Sequence, residues 1–120
     1  MARRQRRKMD CLFCKIIAGE LPSKTLYEDE LVKAFYDIKP CAPVHFLVVP
    51  KVHISSLSDV NDQNSAVISH VYEVIAKLAA ELKLDNGYRV ISNCGDDARQ
   101  TVQHIHFHVL SGVKMNEGLI

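Results

Sequence analysis

No apolar run in this 120-residue sequence approaches the roughly 20 residues of a membrane-spanning helix, so no span is expected. The basic N-terminus is followed by no apolar segment of the kind that marks a secretory signal, so export is not expected. Nothing matches the glycine-rich phosphate loop that ends in Lys-Ser/Thr, which argues against a kinase or NTPase. Internal repeats, low-complexity stretches past the N-terminus and internal linkers are also absent. The four cysteines do not form a disulfide framework, and without an export signal they point to a reducing cytoplasm.

What remains is the composition of an ordinary soluble globule, 48% hydrophobic and 24% charged, with length for one real core but not two. The formal net charge of +1 conceals an asymmetry. Arg3, Arg4, Arg6, Arg7 and Lys8 put five positive charges in the first eight residues, and the remainder is formally −4. Such a leader could bind nucleic acid or an anionic membrane surface. The plainer reading is a disordered tail over residues 1–9, with Met9 as an alternative start and the folded domain over 10–120. The acidic body argues against nucleic-acid binding as the main task.

The most informative run is Gln103-His104-Ile105-His106-Phe107-His108-Val109-Leu110. In a strand, residues two apart share a face at about 6.6 Å, so the three imidazoles stand on one side. Ile105, Phe107 and Val109 supply the opposite, apolar face. Three histidines in a row are a poor way to build a core, because each brings ring nitrogens that need partners. The pattern calls for chemistry.

Periodicity gives the frame. A short helix is expected from an Asp10 N-cap to about Ala18, stopped by Gly19 with Pro22 beyond. Strands are expected at Thr25–Glu28, Leu31–Tyr36, His45–Val49, Tyr88–Ser92 and Val102–Leu110. Between Gln63 and Leu84, Ile68, Val71, Ile75, Leu78 and Leu82 step by three and four, the buried stripe of a long amphipathic helix. His70, Glu73, Lys77 and Glu81 fall on its other face, which makes His70 a solvated surface residue. The fold class is α+β: an antiparallel sheet of about five strands packed by one long and one short helix.

Cys11 and Cys14 form a C-x-x-C on the first turn of the short helix. With His53 and one of the three clustered histidines they would complete a tetrahedral Cys2His2 zinc site. A redox C-x-x-C and a pair of small buried thiols are the alternatives, and spacing alone does not choose among them. The other histidines suit a nucleophilic task, since an imidazole attacks phosphorus well near neutral pH and neighbouring imidazoles can fix its tautomer. The polar stretch Asn93–Thr101 offers donors for phosphate oxygens.

His104-Ile105-His106-Phe107-His108-Val109-Leu110 resembles the H-φ-H-φ-H-φ-φ signature of the histidine triad superfamily. The resemblance extends over nearly all of Asp10 to Gly112. It takes in Cys11–Ile17, Phe35-Tyr36-Asp37-Ile38, Pro43–Lys51 and Gln100-Thr101-Val102. The branch it most resembles is the Hint-type nucleoside phosphoramidate hydrolases, in the bacterial form with C-x-x-C. That resemblance implies His106 as nucleophile at the α-phosphorus of a purine nucleoside phosphoramidate, giving a nucleotidyl-imidazole that water resolves to the monophosphate. It implies His108 at the phosphate and His45 in a relay behind the nucleophile. Asn93, Gln100 and Thr101 would serve the phosphate or ribose, Asp37 the ribose hydroxyls, and Phe13, Phe35, Ile38 and Leu47 the base. It further implies zinc on Cys11, Cys14, His53 and His104, AMP or GMP as product, and a homodimer built on the long helix and a neighbouring strand.

Three positions depart from the family pattern. Arg99 stands at the usual glycine before Gln-Thr/Ser-Val, Ser111-Gly112-Val113 replaces Gly-Gly-Arg, and the tail Lys114–Ile120 carries no aromatic residue, in a chain without tryptophan. Two other functions compete with phosphoramidate hydrolysis: dinucleoside polyphosphate hydrolysis, as in the fragile-histidine-triad branch, and nucleotide binding with little turnover.

Overall fold

A computed structural model describes residues 11–120, so the basic leader and the Asp10 cap lie outside the described residues. The elements run α1 (Leu12–Ile17), β1 (Thr25–Glu28), β2 (Val32–Tyr36), β3 (Val44–Pro50), a 3-10 turn (Leu57–Asp59), α2 (Ser65–Glu81), β4 (Tyr88–Ile91) and β5 (Phe107–Ser111). The strands form one antiparallel sheet in the order β1-β2-β3-β5-β4. This is the expected α+β architecture of five strands with one long and one short helix. Among the described residues no helix is long and apolar enough to cross a membrane.

Alternation along the central strands sorts the sheet into two faces. Phe46 and Val48 of β3, with Phe107 and Val109 of β5, point into a core shared with Val71, Ile75 and Leu78 of α2. Each of these fully buried side chains stabilises the fold by about 1.5–3 kcal/mol. Leu47 and Val49 point the other way, into a smaller cluster with Phe35 and with Phe13 and Ile16 of α1. The histidines share this second face, and so the short helix rather than the long one overlies them.

Four local expectations need correction. The short helix starts one residue later than an Asp10 cap implies: its N-cap is Cys11, whose Sγ accepts the Cys14 N–H at 3.3 Å. The long helix spans Ser65–Glu81, and its stripe adds Val67, Val74 and Ala79, while Ile68 and Leu82 are only partly buried.

The last strand begins at Phe107, not Val102. Residues 104–106 keep the alternation but pair irregularly, for the Ile105 N–H donates to Ile54 O at 2.6 Å, outside the ladder. Finally, His70 is half-buried rather than solvated, because its Nε2 meets Asp29 Oδ2 at 2.7 Å. Asp29 also accepts the N–H groups of Leu31 and Val32 at 2.8 and 2.9 Å and the Tyr27 hydroxyl at 2.8 Å, closing the β1–β2 turn.

Candidate active site and metal cluster

Two groups of side chains meet on the α1 face. In the first, Cys11, Cys14, His53 and His104 bring one donor atom each to within 4.8 Å of one another. Cys11 Sγ lies 3.3 Å and Cys14 Sγ 3.5 Å from His104 Nδ1, and Cys14 Sγ lies 3.2 Å from His53 Nδ1. A tetrahedral ion with bonds of about 2.3 Å to sulfur and 2.0–2.1 Å to nitrogen has S···N edges of about 3.5 Å. The four donors match that size.

Their outer contacts match too. The His104 Nε2–H donates to Pro50 O at 2.8 Å, which leaves Nδ1 with its lone pair toward the two sulfurs. Burial pushes the His104 pKa down to about 4, so the ring is neutral and able to ligate. This cluster could hold a metal ion.

The second group lines a cleft of about 380 Å³. His106 and His108 form its floor, Phe13, Phe35 and Leu47 one apolar wall, and Asp37, Ile38 and Thr101 stand at its margins. Ile38 is 90% exposed, so it offers a free apolar surface at the rim. The His106 Nδ1–H donates to its neighbour's carbonyl, His104 O, at 2.7 Å. The other ring nitrogen, Nε2, therefore keeps its lone pair. Burial lowers the His106 pKa despite that carbonyl, so the lone pair is present at neutral pH.

The proton order of the remaining pair follows in the same way. The Cys41 N–H donates to His45 Nδ1 at 3.0 Å, so the His45 hydrogen sits on Nε2. That hydrogen points to His108 Nδ1 at 2.9 Å, which places the His108 hydrogen on its own Nε2. Burial lowers both pKa values; in His108, where the neighbouring His106 and His45 add to it, the pKa falls to about 4. Asp37 Oδ2 lies 3.5 Å from His45 Nε2. The His45 ring thus backs His108, not His106 as a relay behind the nucleophile would require.

Asp37, His45 and His108 also have metal-like spacing. The donor chemistry does not fit, however: with Cys41 N–H on Nδ1, the His45 Nε2 carries a hydrogen where a ligand needs a lone pair.

Asn93 and Gln100 do not line this cleft. Gln100 is buried, its Nε2 hydrogens going to Ser55 O at 2.7 Å and Val102 O at 3.1 Å, and its Oε1 accepting the Gly95 N–H at 3.0 Å. It staples the 95–102 loop to residue 55. Sequence reasoning missed Ile16, Leu21, Pro22 and Val102 in the cleft wall, though Ile16 sits one helical turn after Phe13. It also missed the main-chain groups of Cys41 and Pro50, which leave no side-chain signal.

The model of the HIT domain matches residues 18–115. The chain belongs to the HIT domain family. A HIT-like protein of Buchnera aphidicola, strain Bp, is 45% identical over 107 residues, covering 88% of this chain and 96% of the relative. Among solved structures, a histidine triad protein from Clostridium difficile is 50% identical with a TM-score of 0.89, covering 92% of this HIT chain and 97% of that one. A HIT family hydrolase from Clostridium thermocellum is 46% identical with a TM-score of 0.90 at the same coverages.

The family resemblance also frames the departures. Arg99, where the resemblance leads one to expect glycine, has φ +64°, the left-handed region that favours glycine. Ser111 gives the end of β5 a hydrogen bond, its hydroxyl donating to Gly87 O at 2.7 Å.

Proposed function

We propose that this HIT protein hydrolyses purine nucleoside phosphoramidates, breaking the P–N bond to release the nucleoside monophosphate and an amine. The observation that carries the reading is the His106 Nδ1–H to His104 O bond, which reserves the Nε2 lone pair for attack. Binding alone has no use for a nucleophile held in one tautomer.

In the first step His106 Nε2 forms a bond to the α-phosphorus as the bond to the amine breaks. The negative phosphate raises the proton affinity of His108, which takes a proton from solvent, and its Nε2–H then passes to the departing amine and leaves His108 neutral. In the second step water attacks phosphorus, His106 leaves as neutral imidazole, and the water's proton returns to His108. The proton cycle closes. Asp37, beside His45, balances the positive charge on the pair, and the apolar wall of Phe13, Phe35, Ile38 and Leu47 takes the base.

The same proposal puts zinc on Cys11, Cys14, His53 and His104, where it supplies a structural cross-link. It puts the protein in the cytoplasm, where thiols stay reduced. A homodimer would form through α2 and β4; β4 is a sheet edge, and Tyr88 on it and Tyr72 on α2 are 41% and 52% exposed. Sedimentation at micromolar concentration tests that association.

The decisive experiment is turnover of adenosine 5′-phosphoramidate by wild type and His106→Ala. AMP release that disappears in the variant supports the reading. A well-folded wild type that binds AMP without releasing it from the phosphoramidate overturns it.

A further inference from the structure

α1 has six residues, too few to hold a helix by its own hydrogen bonds. Its place on the sheet depends on what its side chains touch. Cys11 and Cys14 turn toward His104 and His53, Phe13 and Ile16 enter the small apolar cluster, and Lys33 Nζ donates to Ile16 O at 3.2 Å.

Phe13 lies between the two cysteines and is itself a wall of the cleft. Its ring meets His106 edge to face, with centroids 5.0 Å apart and planes at 84°, and meets Phe35 at 5.6 Å. A second path joins the same two places. The His104 side chain belongs to the metal cluster, while its carbonyl accepts the His106 Nδ1–H. The metal donors therefore bear on His106 twice, through the ring that packs against it and through the group that holds its proton.

We propose that metal binding at Cys11, Cys14, His53 and His104 is coupled to nucleotide binding in the cleft, with Phe13 as the positioning residue that joins them. The proposal rests on the nucleotide reading above. Drawing Cys11, Cys14 and His104 to one centre fixes α1, and with it the cleft wall and the orientation of His106. Without that centre, α1 is held by its apolar contacts, the lysine bond and separate thiol–imidazole contacts that no ion draws to one point. A nucleotide base against Phe13 in turn holds α1 where the cysteines face the histidines. Linkage makes the two effects equal in binding free energy.

The test uses the full chain under reducing conditions, with Zn2+ and AMP as probes. Calorimetry gives the AMP affinity of the zinc-loaded and chelator-stripped protein. Competition with a chromophoric chelator gives zinc affinity and release rate with and without AMP at saturation. Coupling predicts AMP binding about tenfold or more tighter to the loaded protein, within the usual range of such effects. It also predicts a matching rise in zinc affinity and slower release when AMP is bound. If the stripped protein unfolds, the competition experiment decides alone.

Phe13→Leu keeps every metal donor and should still bind one zinc, and AMP at a concentration that saturates the variant should slow its zinc release far less than in the wild type. Equal AMP affinity with and without zinc overturns the coupling, as does AMP-independent zinc release. Full protection in Phe13→Leu overturns Phe13 as the link. A protein that binds AMP but takes up no zinc overturns the coupling alone. A zinc-loaded protein that does not bind AMP overturns the nucleotide reading and the coupling with it.

Discussion

His45 Nε2 donates to His108 Nδ1 at 2.9 Å, and this bond determines which His108 nitrogen carries a hydrogen into the cleft. Replacing His45 with Ala removes the donor and frees the His108 tautomer. Because His45 does not itself line the cleft, the loss should fall on kcat. Steady-state turnover of adenosine 5′-phosphoramidate should show kcat down about 10²-fold, at the lower end of general-acid contributions, with KM changed little. A KM rise at constant kcat would place His45 in binding instead.

Lys83 ends α2 in the left-handed region at φ +57°. The Leu84 N–H reaches back to Ala79 O at 2.9 Å and the Lys83 N–H to Ala80 O at 3.2 Å, the pairing of a Schellman cap that usually contains glycine. Lys83→Gly should stabilise the protein by about 0.5–1 kcal/mol. Thermal denaturation should show a midpoint about 2–5 °C higher. Arg99→Gly should act in the same direction at the loop before Gln100, and a lower midpoint in both variants would refute the strain argument.

Gly112 makes the opposite case. At φ +94°, a Cβ built there lies 2.9 Å from Pro43 Cβ. Gly112→Ala combines a disfavoured backbone with an overlap against a rigid ring, and should destabilise by about 1–3 kcal/mol in chemical denaturation. A neutral result would mean that the 43–44 segment yields easily.

The Asp29–His70 pair ties the β1–β2 turn to α2 and titrates with stability. Its hydrogen bond to Asp29 raises the His70 pKa above 6.5. That contribution is complete below the unfolded value near 6.5 and is lost as pH rises through the higher folded value. Asp29 lies well below the usual carboxylate range: its bonds from His70, Leu31, Val32 and Tyr27 outweigh the opposing effect of burial. Its contribution is present above the unfolded value and is lost as pH falls. His70→Gln should therefore flatten the decline in stability as pH rises above about 6.5. Denaturant midpoints across that range decide it, and an unchanged slope in the variant would remove His70 as the cause.

Much of this arrangement is legible in the sequence because its periods are short. The two-residue spacing of His104, His106 and His108 survives even where the chain leaves the ladder, and the α2 stripe predicts the core from Val71 to Leu78. Less legible are features carried by partners far along the chain. His70 reads as solvent-facing until Asp29, 41 positions earlier, is folded against it. Gln100 looks like a phosphate ligand in its polar loop, but the carbonyl of Ser55 claims its amide. The tautomers of His45, His106 and His104 are set by Cys41 N–H, His104 O and Pro50 O, groups that every residue type presents alike.

At position 41, the fold uses the amide and nothing of the cysteine. That amide N–H begins the order in which two imidazoles, His45 and then His108, are assigned their hydrogens. Serine, alanine or leucine can supply it equally well. Proline alone among the twenty removes it, and would scramble a series of protons whose far end lies two rings away.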